Sequence, residues 1–414
     1  MSTSVDESHP DQRQSREEII EFILQLGRAL HFYGTPAHRL EEAMTLCSQE
    51  LAVPGEFFAT PTAIFASFPC PGQNETRLLR VGPGMVDLDK LMQVDAVMNE
   101  VCRGEVRAAE GERRLDSIEA QPPLYGRSVR LLAYGFASGS AGLLLGGGVY
   151  EMLFGALAGL LIGWLAEVVG RSRTSISMVE PLGAMVAAGG ALLWGAYVTP
   201  LDVNVATVAS LILLVPGFTL TVAMNELATR NLLSGTARLM FAVMVLLGIG
   251  FGVAVGRQIA PLLPEAQVVL VAPIPLWLEV LALLAAGPAL AVCFRAPLGN
   301  FVWIQVSCVL AYGGVQAVLI WEQPPEIAAF FGALLVGLGS SVFARVFDRP
   351  AAVTQVPGIM LLVPGSIGLR GVAHIVDKQT LSGVDAAFLM VLVGTAIVTG
   401  LLVSNVLVSP RKVL

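Results

Sequence analysis

Charge is scarce in this chain: only 14% of its 414 residues are charged, and of those 31 fall in residues 1–126 and 26 in the remaining 288. With 55% hydrophobic residues and a mean hydropathy of +0.71, that scarcity excludes an ordinary soluble protein. It predicts a polar head followed by a membrane domain. Positive charge is not in excess either. The net charge is −7 and the head holds 20 acids against 11 bases, so nucleic acid is not an expected partner. Cys47, Cys70, Cys102, Cys293 and Cys308 form no C-x-x-C and no Cys/His spacing, so neither a metal site nor a disulfide framework is expected, and no cofactor is. The N-terminus lacks a basic region followed by a short apolar one, which argues against a cleaved secretory signal. Residues 1–14 are expected to be disordered. The Gly146 to Gly148 run lacks the G-K-[ST] that a phosphate loop requires.

Residues 15–126 read as a small cytosolic α+β domain. Ile19, Ile20, Ile23, Leu24, Leu26 and Leu30 keep a helical period that stops at Gly34, a natural helix terminator. Thr35 is the expected cap of a second helix with Pro36 in its first turn, running to about Leu51. Glu56–Phe68 and Thr76–Val81 predict a β-hairpin, and helices over about 87–101 and 105–119 complete the head. Arg39, Glu41, Glu42, Thr60, Thr62 and Ser67 combine hydroxyls with an acid and a base. Nothing near them, or near His31 and His38, has recognisable nucleophile or metal-ligand spacing, so no catalytic residue is expected.

Runs long enough to cross about 30 Å of hydrocarbon can be drawn ten times. They cover residues 129–149, 151–170, 181–198, 203–224, 238–260, 273–293, 298–320, 326–344, 353–372 and 384–408. With the head in the cytosol, the inside connections hold Arg127, Arg130, Arg171, Arg173, Arg230, Arg238, Arg295, Arg345, Arg349, Arg411 and Lys412. The outside ones hold only Arg257, Arg370 and Lys378, so both termini are expected in the cytosol.

What the chain does contain is a duplication. Leu213–Gly217 and Leu361–Gly365 both read LLVPG, and both are followed by Leu-Ser-Gly, at Leu233–Gly235 and Leu381–Gly383, with one shared offset of 148 residues. Shifting the first five spans by that offset gives the last five. An odd number of crossings inserts the second copy upside down, so the expected architecture is an α-helical membrane protein of two inverted five-helix repeats, 127–262 and 273–408. Proline removes an amide donor and disfavours helix at the residue before it, so Val215 and Val363 are expected to be extended, with free carbonyls upstream and new half-helices from Pro216 and Pro364. Unpaired amides at such a start suit a substrate carboxylate, whereas a simple packing kink is the bland alternative.

Acids at membrane depth need a partner or a function. Glu167, Glu180, Glu226 and Glu279 are the candidates, either facing a cavity or pairing at the interface with Arg171, Arg173 and Arg230. Asn225 and Glu226 share the half-helix that follows the first break. After the second come Ser366, Arg370 and His374, four apart on one helical face, with Asp377 just beyond; Arg370 could take a carboxylate and His374 could titrate near neutral pH, unless both sit at the outer interface. Gly135, Gly139, Gly142 and Gly146, then Gly155, Gly159 and Gly163, and Gly248, Gly252 and Gly256 form small-xxx-small faces for close helix packing.

GRALHFYGTPAHRLEEAM, FFATPTAIFASF, LLVPGFTLTVAMNELATRNLLSGTAR and VPGIMLLVPGSIGLRG, with the ten-span layout and the polar head, resemble the threonine/serine exporter family over about Glu17 to Val408. Two modules found elsewhere as separate small proteins would here be fused. The resemblance implies export of L-threonine and L-serine across a bacterial inner membrane, driven by the proton-motive force. Some two-component relatives are associated with succinate, so a dicarboxylate exporter is the alternative; a membrane-anchored hydrolase using the head is an alternative of another class. The expected partners are a small-molecule substrate, protons and the bilayer, with a homo-oligomer left open. Pro216, Gly217, Thr219, Asn225, Pro364, Gly365, Ser366 and Arg370 are the candidate substrate residues, and Glu180, Glu226, Glu167 and His374 the candidate proton-coupling ones.

Overall fold

Ser15 opens the first helix, α1 (Arg16–Phe32), through a reciprocal cap: its hydroxyl accepts from the Glu18 amide at 3.1 Å and the Glu18 carboxylate accepts from the Ser15 amide at 3.0 Å. The computed structural model that contains it describes residues 15–70, 72–82, 84–169, 178–264, 274–362, 365–376 and 379–408. The segment expected to be disordered, 1–14, lies outside the described residues, as do Arg171, Arg173, Asp377, Lys378, Arg411 and Lys412. The chain divides into two compact units, one holding residues 15–86 and 90–122, the other 87–89 and 123–408.

In the first unit α1 ends as expected. Gly34 takes φ +90° and the amides of Gly34 and Thr35 bond the carbonyls of His31 and Leu30, so the last turn is closed by a residue with no Cβ to strain. Helix α2 (Ala37–Glu50) is not capped by Thr35. Pro36 occupies the cap position with no side-chain bond, and the buried Thr35 hydroxyl has no partner among the described residues. The expected hairpin is a three-stranded antiparallel meander: β1 (Glu56–Thr60), β2 (Ala63–Cys70) and β3 (Gln73–Arg80). Pro61 and Thr62 split what reads in sequence as one strand, and Thr60 Oγ1 closes that turn by accepting from the Ala63 amide at 3.0 Å. Helices α3 (Leu88–Cys102) and α4 (Ala108–Ala120) follow. Phe22, Ile23, Leu26, Leu40, Met44, Ile64, Phe68 and Leu115 form the core. Glu41 accepts from the Ala59 amide at 2.6 Å and Glu42 pairs with Arg39 at 3.3 Å, so these acids hold α2 to β1 and to itself. Burial and the neighbouring Arg39 push His38 down to about 4, which keeps it neutral near pH 7.

The second unit is helical: α5 (Arg127–Leu144), α6 (Val149–Val169), α7 (Val179–Tyr197), α8 (Val203–Ser210), α9 (Gly217–Ala228), α10 (Leu232–Gly256), α11 (Leu276–Cys293), α12 (Phe301–Leu319), α13 (Pro325–Phe347), α14 (Ala352–Leu362), α15 (Gly365–Val376) and α16 (Thr380–Leu407). Among the described residues eight helical stretches are long and apolar enough to cross a membrane, which makes this a multi-pass membrane protein. Helix α5, with its two arginines, and the interrupted pair α8 and α9 do not meet that measure alone.

Small residues set the helix crossings. A Cβ on Gly139 would lie 3.1 Å from Ala156 and one on Gly159 2.6 Å from the Ser138 hydroxyl, so α5 and α6 touch backbone to backbone. Helix α7 meets α10 where Gly252 faces the Pro181 carbonyl and Gly256 faces that of Met185. Gly248, expected on the same face, meets nothing within 4 Å: its side of α10 is open. Helix α13 meets α16 through Gly337 against Ser404 and Gly400 against the Phe330 carbonyl. Helices α9 and α10 cross at Ala223 and Gly235, and α15 and α16 at Gly371 and Gly383.

Candidate functional site

The first LLVPG segment interrupts a helix. Asp202 caps α8, accepting from the amides of Asn204 (2.8 Å) and Val205 (3.1 Å), and α8 stops at Ser210. Pro216, at φ −77° and ψ 44°, centres an inverse γ-turn in which the Gly217 amide donates to the Val215 carbonyl at 2.7 Å, and α9 begins at once. Because Pro216 has no N–H, the Ile212 carbonyl four residues back loses its helical donor. Among the described residues no donor reaches the carbonyls of Ile212, Leu213 and Leu214, and no acceptor meets the amides of Phe218 and Thr219. The break thus presents free carbonyls on one side and the positive end of α9 on the other.

These groups face a cavity of about 260 Å³ lined by Leu213 to Pro216, Phe218 and Thr219, by Glu180 of α7, Tyr134 of α5, Phe241 and Val245 of α10, Cys293 and Phe294 at the end of α11, and Met360 of α14. Glu180 is held there by its helix. It lies in the first turn of α7, and one turn on Gly183 lets α7 approach the break so closely that a Cβ would stand 2.9 Å from Leu214 Cδ1. Glu180 is half-buried and has no cationic partner among the described residues. It is the one acid lining the cavity, and no lysine, arginine or histidine lines it among the described residues.

The other candidates are placed differently. Glu226 is fully buried, but its carboxylate is engaged by Arg238 Nε at 3.1 Å and by the Ser234 hydroxyl at 2.9 Å, which ties α9 to α10 away from the cavity; Arg230 is not the cation that meets it. Glu167 sits between Arg130 Nη2 (2.6 Å) and Arg127 Nε (2.9 Å) of α5, while Arg171 and Arg173 lie outside the described residues. Glu279 accepts from the Tyr312 hydroxyl at 3.1 Å. Asn225 is half-buried on α9 and does not line the cavity, and Gly217 is buried at the start of that helix.

The second LLVPG separates α14 from α15, but Val363 and Pro364 themselves lie outside the described residues. Gly365 begins α15, with Ser366 next to it and His374 further along. Arg370 does not reach the cavity. It is exposed and its Nη2 donates to the Leu145 carbonyl at 3.3 Å, capping the C-terminal end of α5. The two interrupted helices do come together: Leu369 of α15 joins Val215 and Leu220, on either side of the first break, in one buried apolar cluster.

Sequence reasoning missed Tyr134, Phe241, Val245, Cys293, Phe294 and Met360. They come from four other helices and share no spacing with the break; only Met360, one turn before the second LLVPG break, carries a positional signal.

Comparison with known proteins gives a consistent picture. Residues 21–260 match a family described as "Putative threonine/serine exporter", and residues 279–407 match one described as "Threonine/Serine exporter, ThrE". Curated relatives are yeast proteins named pheromone-regulated membrane protein 10. That of Saccharomyces cerevisiae is 27% identical over 88% of this chain and 48% of its own length, and that of Eremothecium gossypii is 27% identical over 90% and 51%. The chain spans about half the length of these curated relatives. No solved structure matches it.

Proposed function

The chain belongs to the threonine/serine exporter family, and from that premise we propose that it exports a small zwitterionic amino acid, L-threonine or L-serine, through the cavity at the Pro216 break. The observation that carries this reading is the meeting of two opposite features in one cavity: the unpaired amides of Phe218 and Thr219 and the carboxylate of Glu180. The first suits a substrate carboxylate and the second its ammonium group. The volume of about 260 Å³ is near the lower limit of ligand pockets, which fits a small substrate. A dicarboxylate would meet Glu180 as a like charge, with no lining cation among the described residues to offset it.

The architecture in this proposal is ten crossings in two inverted repeats, 127–262 and 273–408, after a head of residues 15–126. The packing supports it. Gly189 meets Gly256 as Gly337 meets Ser404, and Ala223 meets Gly235 as Gly371 meets Gly383, each pair displaced by the 148 residues of the LLVPG offset. Contacts of α8 with α15 and α9 with α14 bring the two halves together at their breaks. Alternating access then consists of rocking one half against the other, with Pro216, Gly217 and Thr219 from the first break and Pro364, Gly365 and Ser366 from the second moving relative to the substrate. In this proposal Glu180 exchanges the ammonium for a proton. The preponderance of basic residues in one set of connections supports cytosolic termini; a bacterial inner membrane is part of the proposal.

Counterflow into proteoliposomes tests the substrate. Preloaded threonine should drive uptake of labelled threonine and serine at least tenfold above protein-free vesicles, with succinate at background. Succinate counterflow without threonine counterflow would replace this reading with the dicarboxylate one.

A further inference from the structure

The sheet of the first unit has two unlike faces. Its inner one carries Ala59, Ile64, Ala66 and Phe68, all buried. On the other face the register sets Phe58 of β1 beside Phe65 of β2, and Phe65 beside Leu78 of β3. Residues paired across a ladder point the same way, so these three make one row across all three strands. They are 47%, 40% and 58% exposed, with the rings of Phe58 and Phe65 6.1 Å apart. A solvent-facing row on an antiparallel sheet is ordinarily polar, and this one is apolar throughout.

The surroundings of the row carry a charge pattern. Two residues along the strands to one side lie Glu56, Ser67 and Thr76, and to the other side Thr60, Ala63 and Arg80. Glu56 and Arg80 therefore stand at diagonally opposite corners of the face. Both are exposed, and neither side chain has a hydrogen bond or ion pair among the described residues. Their neighbours of the opposite parity on β3 differ in this respect: Glu75 pairs with Arg16, and Arg77 with Glu17 and Glu21.

We propose that this face joins the heads of two copies of the chain. A two-fold axis lying between two such faces, along the diagonal from Thr60 to Thr76, brings each Glu56 to the partner's Arg80. The same rotation lays Phe65 against its own mate, and carries Phe58 toward the partner's Ala63 and Leu78 toward the partner's Ser67, small residues that leave room for them. The strands of the two sheets then cross steeply, as in orthogonal sheet packing. Charge selects this occupant: one unpaired acid and one unpaired base at opposite corners make the face its own complement. An anionic bilayer surface attracts clusters of bases, whereas the head holds 20 acids against 11 bases. Three apolar side chains make a small interface, and confinement of every copy to the bilayer raises the effective concentration at which heads meet.

Crosslinking of the full-length protein in phosphatidylcholine vesicles tests this, in a variant with all five cysteines replaced by alanine. Thr76 lies beside the proposed axis, so a short bismaleimide should join Thr76→Cys to a second copy far more readily than Ser117→Cys, which is exposed on α4 away from the face. Glu56→Arg or Arg80→Glu alone should lower the yield of Thr76→Cys dimer about fivefold or more, because like charges then meet across the contact. Mixing the two charge variants in the same vesicles should restore it, since each mixed pair has opposite charges at both corners, and that recovery also shows that both variants are folded. No more dimer from Thr76→Cys than from Ser117→Cys overturns the proposal, as do undiminished yields in the single charge variants or a mixture that stays low. Absence of dimer together with shielding of Thr76→Cys from a water-soluble maleimide by the vesicles would assign the face to the bilayer instead.

Discussion

Glu180→Gln is expected to raise the KM for threonine roughly 30-fold or more, because removing one partner of a partly desolvated charge pair costs about 2 kcal/mol or more. The variant keeps the shape of the carboxylate and loses its charge. Glu180 has no cation to leave stranded among the described residues, so the melting temperature should stay within a degree or two of wild type. That combination separates a substrate contact from a structural one. Glu180→Asp, which keeps the charge and shortens the side chain, should recover part of the activity. Transport assays in proteoliposomes at fixed internal and external pH, with melting followed on the same preparations, read both quantities. Normal KM in Glu180→Gln would remove the ammonium partner from the mechanism.

Glu226→Ala should act in the opposite way, on stability. Its carboxylate is fully buried and held by Arg238 and Ser234, and breaking such a pair leaves an uncompensated charge. Measured costs for buried pairs are about 3–5 kcal/mol, and the partial exposure of Arg238 places the expected loss near 3 kcal/mol. The double variant Glu226→Leu, Arg238→Met removes both charges and should regain most of that loss, since apolar replacements of similar volume are often neutral. Thermal or denaturant unfolding in detergent distinguishes the outcomes. If the single and double variants are equally unstable, the pair is not what joins α9 to α10. The residues 148 positions on are His374, Ser382 and Ala386, so no such charge pair stands at that offset.

The difference between these two glutamates shows what the sequence could and could not reveal. Both stand near the same break, and spacing alone makes them equivalent candidates. Glu226 finds its cation twelve residues away on the next helix, a pairing that depends on how α9 and α10 cross at Gly235. Glu180 reaches the cavity because Gly183 lets α7 lie against Leu214. Neither crossing can be read from a single helix. The break itself was legible, since a proline's missing amide and its effect on the preceding turn are local chemistry. The glycine faces were legible for the same reason, except at Gly248, where nothing in the periodicity says which face will be covered, and at Gly146, which lies past the end of α5 at φ +87° and meets nothing within 4 Å. For Arg370 the spacing left a substrate contact and an interfacial position open, and what decides its contact, the end of α5 at Leu145, is 225 residues away in sequence. In the head, the two-residue turn at Pro61 and Thr62 was hidden inside an otherwise continuous β-rich run.

The substrate is proposed to occupy the cavity at Pro216, and Cys293, which lines that cavity, reports on it directly. In a variant with the other four cysteines replaced by alanine, the rate at which a small maleimide modifies Cys293 can be followed by mass spectrometry of the full-length protein. Saturating threonine should slow that modification at least fivefold, succinate should not, and Glu180→Gln should lose the protection. A labelling rate unchanged by threonine in protein that still transports it would place the substrate elsewhere.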